Sequence, residues 1–201
     1  AAVDKVLDVA QFCHLEGLAY RFMPVRAKHT VRGLGGINTV KTYDRLVNNA
    51  RWGNLNDPKV YIDPESRRNS IMPKQNYLRL AQALMEEGEK QKAIETLDTM
   101  IKYFPNEKIP FDMYMVSMVE TYYEAGANEK GNAAADIIVR NYHEDLEYYA
   151  SLKNDFRKYY ERDTQQGMWV IQQISLIAAR AGQMEKANEY DKILEQMLAI
   201  F

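Results

Sequence analysis

From Tyr77 onward the apolar residues recur at intervals of three and four: Tyr77, Leu80, Ala81, Leu84 and Met85. That spacing predicts an amphipathic helix, and Gly88 is suited to end it in the left-handed conformation of a helix C-cap. A second apolar series, Ala93, Ile94, Leu97, Met100 and Ile101, starts at once and stops at Pro105, whose ring cannot continue the backbone hydrogen-bond ladder. The two make a helical hairpin. The N-terminal stretch has another rhythm. Val3 to Phe12 predicts a short helix, Leu18 to Val25 an extended segment ended by proline, and Val31 to Gly36 a loop. Thr39 to Ala50 returns to helical spacing through Val40, Tyr43, Leu46 and Val47, and Trp52 to Asp63 is an irregular connector rich in Asn, Asp, Gly and Pro. Asp63-Pro64-Glu65 predicts a helix start, with Asp63 as cap and Pro64 at the first helical position. Pro73 predicts a kink or restart before Tyr77.

The hairpin punctuation returns twice. Gly88 to Ala93, Gly126 to Gly131 and Gly182 to Ala187 each place a small residue five positions after a turn glycine. The glycine permits the turn, and the small residue lets the second helix approach the first. These are the turn glycine and small residue of the tetratricopeptide pattern, whose period is about 34 residues. Here the glycines stand 38 and then 56 residues apart, so the second interval requires an inserted element. Tyr148, Tyr149, Leu152, Phe156, Tyr159 and Tyr160 predict an additional amphipathic helix from Glu144 to Arg162, before a last hairpin from Thr164 to Phe201. The expected fold class is mainly α: a tetratricopeptide-like helical-hairpin array, an α-α superhelix, over residues 64–201. A small mixed junction segment, residues 1–63, precedes it.

Composition narrows the partners. With 201 residues, 46% hydrophobic and 27% charged, the chain can bury a core of its own. Its 26 basic and 28 acidic residues leave a net charge of −2, without the basic excess that nucleic-acid or anionic-membrane binding requires. Cys13 is the only cysteine, which excludes an intrachain disulfide and a cysteine-based metal site. No apolar run approaches the roughly 20 residues of a membrane span. The chain begins without methionine, already inside the apolar pattern Val3, Val6, Leu7, Ala10, as expected of a piece of something larger.

Candidate chemistry is sparse. Gly33-Leu-Gly-Gly36 lacks the lysine and Ser/Thr of a phosphate-binding loop and reads as a turn. His14, His29 and His143 have no ligand spacing, so no metal and no cofactor are expected. Cys13 and His14 are sequence neighbours whose side chains diverge, which reads as a buried thiol beside a surface histidine. Glu86-Glu87 and Glu144-Asp145 fall on solvated helix faces, and the tyrosines from 148 to 160 read as core. No residue is expected to be catalytic. The first helices of the hairpins carry the candidate partner-binding groove: Leu78, Gln82 and Met85, then Met113, Val116, Glu120 and Tyr123, then Trp169, Gln172 and Leu176. Some tetratricopeptide modules clamp a peptide carboxylate with Lys, Asn and Arg on these faces. Leu78, Gln82, Val116 and Glu120 stand there instead, and the rather apolar face implies either an apolar protein or peptide partner or self-burial against the N-terminal segment.

Several stretches go further: Leu15-Glu-Gly-Leu-Ala-Tyr-Arg21 with Pro24-Val25, Trp52-Gly-Asn-Leu-Asn-Asp-Pro-Lys-Val-Tyr-Ile-Asp63 with Arg67-Arg68, Leu80-Ala81, Glu107-Lys-Ile-Pro110, and Ala125-Gly-Ala with Glu129-Lys130. Together they resemble the soluble C-terminal region of a family of multi-spanning bacterial membrane proteins related to protein O-mannosyltransferases, long catalogued as a domain of unknown function. The resemblance covers most of residues 15 to 150 and is looser beyond. Pro73, and Gly131 where alanine is usual, depart from it. It implies a parent membrane glycosyltransferase using lipid-linked sugars, whose catalytic part lies outside this chain, and a tail on the periplasmic face of the inner membrane. Glu16, Tyr20, Arg21, Arg51 and Trp52 carry over only as the family-like motif, with a structural junction as their plainest role. The expected function is non-catalytic protein binding or scaffolding by a periplasmic tail, reaching the membrane only through spanning segments of the parent. The alternative is a free-standing tetratricopeptide adaptor.

Overall fold

A computed structural model describes residues 10–26 and 35–201. The chain is mainly helical, with a small three-stranded mixed sheet near its N-terminus. It divides into two compact units, Ala1–Ile109 and Pro110–Phe201. The division expected at residue 63 falls inside the first of them, at the cap of a helix.

In the first unit a 3₁₀ turn, Ala10–Phe12, leads into β1 (Cys13–Glu16) and back through Gly17-Leu18 into β2 (Ala19–Phe22). Gly17 takes φ +80° at the first of two turn positions, the place where a tight hairpin needs glycine. The extended segment predicted from Leu18 is thus the second strand of a hairpin. β3 (Gly36–Ile37) pairs parallel with β1, giving the order β2-β1-β3. A Cβ on Gly35 would lie 2.1 Å from the Cys13 carbonyl oxygen, so a side chain there would drive the strands apart. Of the helix expected from Val3 to Phe12, all but the 3₁₀ turn Ala10–Phe12 lies outside the described residues, as does the start of the glycine loop.

The predicted helix near Thr39 is α1 (Thr39–Tyr43), capped by Asn38, and it continues as a π turn over Asp44–Asn48. α2 (Pro64–Asn69) begins as anticipated: the Asp63 carboxylate accepts from the N–H groups of Glu65 and Ser66. α3 (Ile71–Glu86) restarts two residues before Pro73. The proline therefore sits in the first turn, where its missing N–H has no intrahelical partner to lose. α4 (Lys90–Tyr103) completes the hairpin. Its core joins Trp52 of the connector to Tyr77 and Phe104, with ring centroids 6.2 and 4.9 Å away. The Trp52 indole N–H donates to the Tyr77 hydroxyl (3.1 Å), which itself donates to the Leu46 carbonyl (2.7 Å). Packing the half-buried Trp52 ring on the buried Tyr77 ring, with both polar tips satisfied, ties the irregular connector to the hairpin.

The second unit opens with a 3₁₀ turn, Met113–Met115, then α5 (Val116–Glu124), α6 (Asn128–Ser151), a one-turn α7 (Asn154–Arg157), α8 (Glu161–Arg180) and α9 (Met184–Ile200). The helices pack as α5 on α6 and α8 on α9, with α8 also against α5 and α6. Met118, Tyr122, Ile138, Leu146, Ile174 and Tyr190 are fully buried between them. A polar tie joins α6 to α9. Asp136 of α6 receives the Tyr190 hydroxyl (2.7 Å) and the Lys186 ammonium (2.8 Å), both from α9.

The separate helix expected over Glu144 to Arg162 is not formed. Its first half prolongs α6 to Ser151, Leu152 and Lys153 are extended, and Tyr159 is exposed. Nothing in the sequence between Ala127 and Ser151 stops a helix, so α6 continues through the tyrosines instead of restarting.

The three hairpin turns are built alike. Gly88, Gly126 and Gly182 take φ +80°, +84° and +76°. The residue after each glycine donates to a carbonyl five residues back: Glu89 to Leu84 (2.8 Å), Ala127 to Tyr122 (2.8 Å) and Gln183 to Ala178 (2.9 Å). No atom outside the turn lies within 4 Å of a Cβ placed on any of the three glycines, so backbone conformation rather than space requires them. The small residues that follow, Ala93, Gly131 and Ala187, are all buried. At Gly131 a Cβ would stand 2.5 Å from Tyr123 Cε1. The Tyr123 ring occupies the place of the usual alanine methyl, and its hydroxyl donates to Asn132 (2.7 Å).

Candidate functional site

The residues chosen for a partner groove divide between the units. In the first, α3 holds Leu78 at 6% exposure, with Gln82 and Met85 half-buried. In the second, Met113 and Val116 are half-buried, Tyr123 is 8% exposed and Glu120 is exposed. On α8, Val170, Ile171, Ile174 and Ala178 face the core. The complementary row, Trp169, Gln172 and Leu176, faces outward, with Trp169 and Leu176 each 45% exposed. Two large apolar side chains two turns apart on one helical face, left uncovered beside buried neighbours, form a surface that water disfavours.

Where α8 ends beside α5, an open concavity of about 390 Å³ is lined by Glu120, Tyr123, Glu124, Ile177, Arg180 and Ala181. Glu120 and Glu124 are one turn apart. Burial first, and the Glu120 charge second, push the Glu124 carboxyl above its ordinary value. Tyr123 is pushed up to about 12 by its own burial, and by Asp136 after that, so its phenol stays a neutral donor to Asn132. Asn132 in turn donates to the Gln183 side chain (3.1 Å). The ring is fixed from behind while its edge meets the concavity.

The family-like motif is brought together only in part. Glu16 is 3% exposed and faces three cations: Lys41 Nζ at 2.9 Å, Arg21 Nε at 2.9 Å and Arg45 Nη1 at 3.4 Å. The Lys41 hydrogen bond, then that of Arg21, holds its carboxyl below the ordinary value against the opposing effect of burial. Tyr20 takes a hydrogen bond from the buried Arg79, whose guanidinium also lies 5.7 Å from the tyrosine ring centroid. Trp52 belongs to the aromatic core described above. Arg51 is exposed. Glu16, Tyr20, Arg21 and Trp52 thus tie the strands, α1 and the connector to the hairpin. His14 Nε2 lies 3.0 Å from the Val25 carbonyl, His143 lies 3.7 Å from Glu147, and His29 is outside the described residues. Cys13 is half-buried.

A second concavity, of about 230 Å³, was not anticipated. Phe111, Asp112, Tyr142, Asp145, Tyr149 and Asp163 are among its walls. Tyr142, Asp145, Leu146 and Tyr149 do show the three-four-seven spacing of one helix face, but Asp163 and Phe111 reach it only through the fold. Among the described residues, no group of three or more His, Cys, Asp or Glu is placed to hold a metal, and no helix is long and apolar enough to cross a membrane.

The units differ in charge. Residues 110–201 carry 15 acidic and 9 basic side chains, net −6, whereas residues 1–109 carry 13 and 17, net +4. No family model matches the chain, and no curated protein or solved structure matches it.

Proposed function

We propose that this chain is a non-catalytic protein-binding or scaffolding domain with a tetratricopeptide-like hairpin array, serving as the periplasmic tail of a glycosyltransferase-like membrane protein related to protein O-mannosyltransferases. The observation that carries the binding half is the uncovered Trp169, Gln172 and Leu176 row on α8, beside the concavity at Glu120 and Tyr123. First helices of tetratricopeptide hairpins present such rows to their ligands. The like-built turns at Gly88, Gly126 and Gly182 support the repeat reading. The membrane-tail half rests on the sequence resemblance alone.

Two experiments test the halves separately. Pull-down with the intact protein should lose its partner when Trp169→Glu and Leu176→Glu are introduced and keep it when Gln196→Glu is introduced on exposed α9. Equal capture by all three sinks the binding face. For the tail, the native reading frame should encode spanning segments upstream. A frame without them favours the free-standing adaptor.

A further inference from the structure

The concavity lined by Phe111, Tyr142 and Tyr149 lies wholly within the second unit and is separate from the α8 row assigned above. We propose that it is a binding site for an organic cation, in particular the lysine or arginine side chain of a partner protein.

Its walls are aromatic on several sides. Phe111 is 3% exposed. The Tyr142 hydroxyl is already engaged by Gln166 and the Met113 backbone, so that residue offers the cavity mainly its ring. Tyr149 is stacked on Tyr160, with centroids 4.6 Å apart and planes at 16°, which holds its ring in place before any ligand arrives. Such π faces attract ammonium and guanidinium groups, and more strongly where water is partly excluded.

The carboxylates supply the second half of the recognition. Asp112 already caps the turn that follows it, accepting from the Tyr114 N–H at 3.0 Å. Asp145 and Asp163 have no hydrogen bond or ion pair among the described residues, yet both line the cavity. Burial, then the charges of Glu144 and Asp163, disfavour the ionised Asp145 carboxyl, so the acids here repel one another. A cation seated between them relieves that repulsion. An anion is disfavoured by the net −6 of the unit.

Size and spacing select the kind of cation. A bare metal ion needs several oxygen ligands converging within about 2.6 Å of it, and no three carboxylates here are so placed. A volume of about 230 Å³ is below that of drug-sized sites, about 300 Å³ and upward, and suits one side-chain head group. Gly167 contributes to the shape, since a Cβ there would lie 3.3 Å from Leu146 and 3.4 Å from Tyr142, tight enough to shift the wall.

The test titrates the full chain with three probes while following the Tyr142 and Tyr149 ring resonances by NMR: a short peptide with one central arginine, the same peptide with norleucine there, and methylguanidinium. The arginine peptide should shift both rings and the norleucine peptide neither. The double variant Asp145→Asn, Asp163→Asn should bind the arginine peptide about ten-fold or more weakly, a loss of roughly 1.4 kcal/mol. Both aspartates are exposed, and a cooperative melting transition no lower than that of the parent chain verifies that the variant folds. Methylguanidinium acting as well as the peptide identifies a free organic cation as the occupant; peptide binding alone identifies a side chain. Trp169→Ala should leave these shifts intact, which separates this site from the α8 row. Equal shifts with arginine and norleucine, no shift with any probe, or undiminished binding by the double variant overturns the proposal.

Discussion

The two units treat their carboxylates in opposite ways. In the first, Glu16 is buried and answered by Arg21, Lys41 and Arg45, and its carboxyl is held down. In the second, Glu124 and Asp145 line concavities without an ion pair of their own among the described residues, and burial together with neighbouring acids pushes them up. A compensated charge holds parts of a fold together. An uncompensated one costs stability that a ligand can return. The two units thus differ in whether a carboxylate is answered by cations across strands and α1 or left facing an open concavity.

The largest effect should come from breaking the compensation. Glu16→Gln leaves three cations facing one another across a buried site and should cost about 2 kcal/mol, less than a fully buried pair because the cations are half exposed. Denaturant unfolding of the chain measures it. A change below about 0.5 kcal/mol would mean the cluster is not a junction.

Gly131→Ala comes next. The added methyl meets the Tyr123 ring at 2.5 Å, an overpacking worth about 1–3 kcal/mol, against a gain of about 1 kcal/mol in helix propensity. Net destabilisation of about 1 kcal/mol is expected, with the Tyr123 resonances displaced. Stabilisation would show that the ring moves freely.

The pH responses should be opposite in sign. Glu16 titrates lower in the folded chain than in the unfolded one, so its contribution is complete above the ordinary glutamate value of about 4.3 and is lost as pH falls through its depressed value. Glu124 and Asp145 titrate higher when folded. Their cost is therefore present at neutral pH and relieved as pH falls through their raised values, which makes mild acid stabilising at these two sites. Residue-resolved carboxyl NMR should place the Glu16 midpoint below about 4.3 and the Glu124 midpoint above it. The same order for both would erase the contrast. Smallest of all, Asp145→Asn should raise stability by up to about 0.5 kcal/mol at neutral pH, and a loss of stability would show that the carboxylate has an unseen partner.

Much of this was legible in the chain, for identifiable reasons. The helices of the three hairpins follow from three-and-four spacing, and their turns from Gly88, Gly126 and Gly182, because positive φ leaves a residue-type mark. Asp63 and Pro64 announced a helix start for the same reason. The β1–β2 hairpin was half visible: Leu18 to Val25 read as extended, but Cys13 to Glu16 is too short and mixed to announce a strand. The end of α6 was misplaced because its aromatic half has helical spacing in either reading. The concavity at Tyr149 was invisible, since Phe111, Asp145 and Asp163 lie far apart along the chain, and the packing of α6 on α8 together with the segment before α5 brings them to one cavity. The exposed row of Trp169, Gln172 and Leu176 needed no such assembly, because one helix carries all three.

The most direct test of the binding assignment is photocrosslinking inside cells, with a photoreactive residue at Gln172 of α8 or, as control, at Gln196 of α9 in the full-length protein. A discrete adduct from position 172 that Trp169→Glu abolishes, with none from position 196, is the predicted result. Adducts from both positions alike, from neither, or one at 172 that survives Trp169→Glu would contradict it.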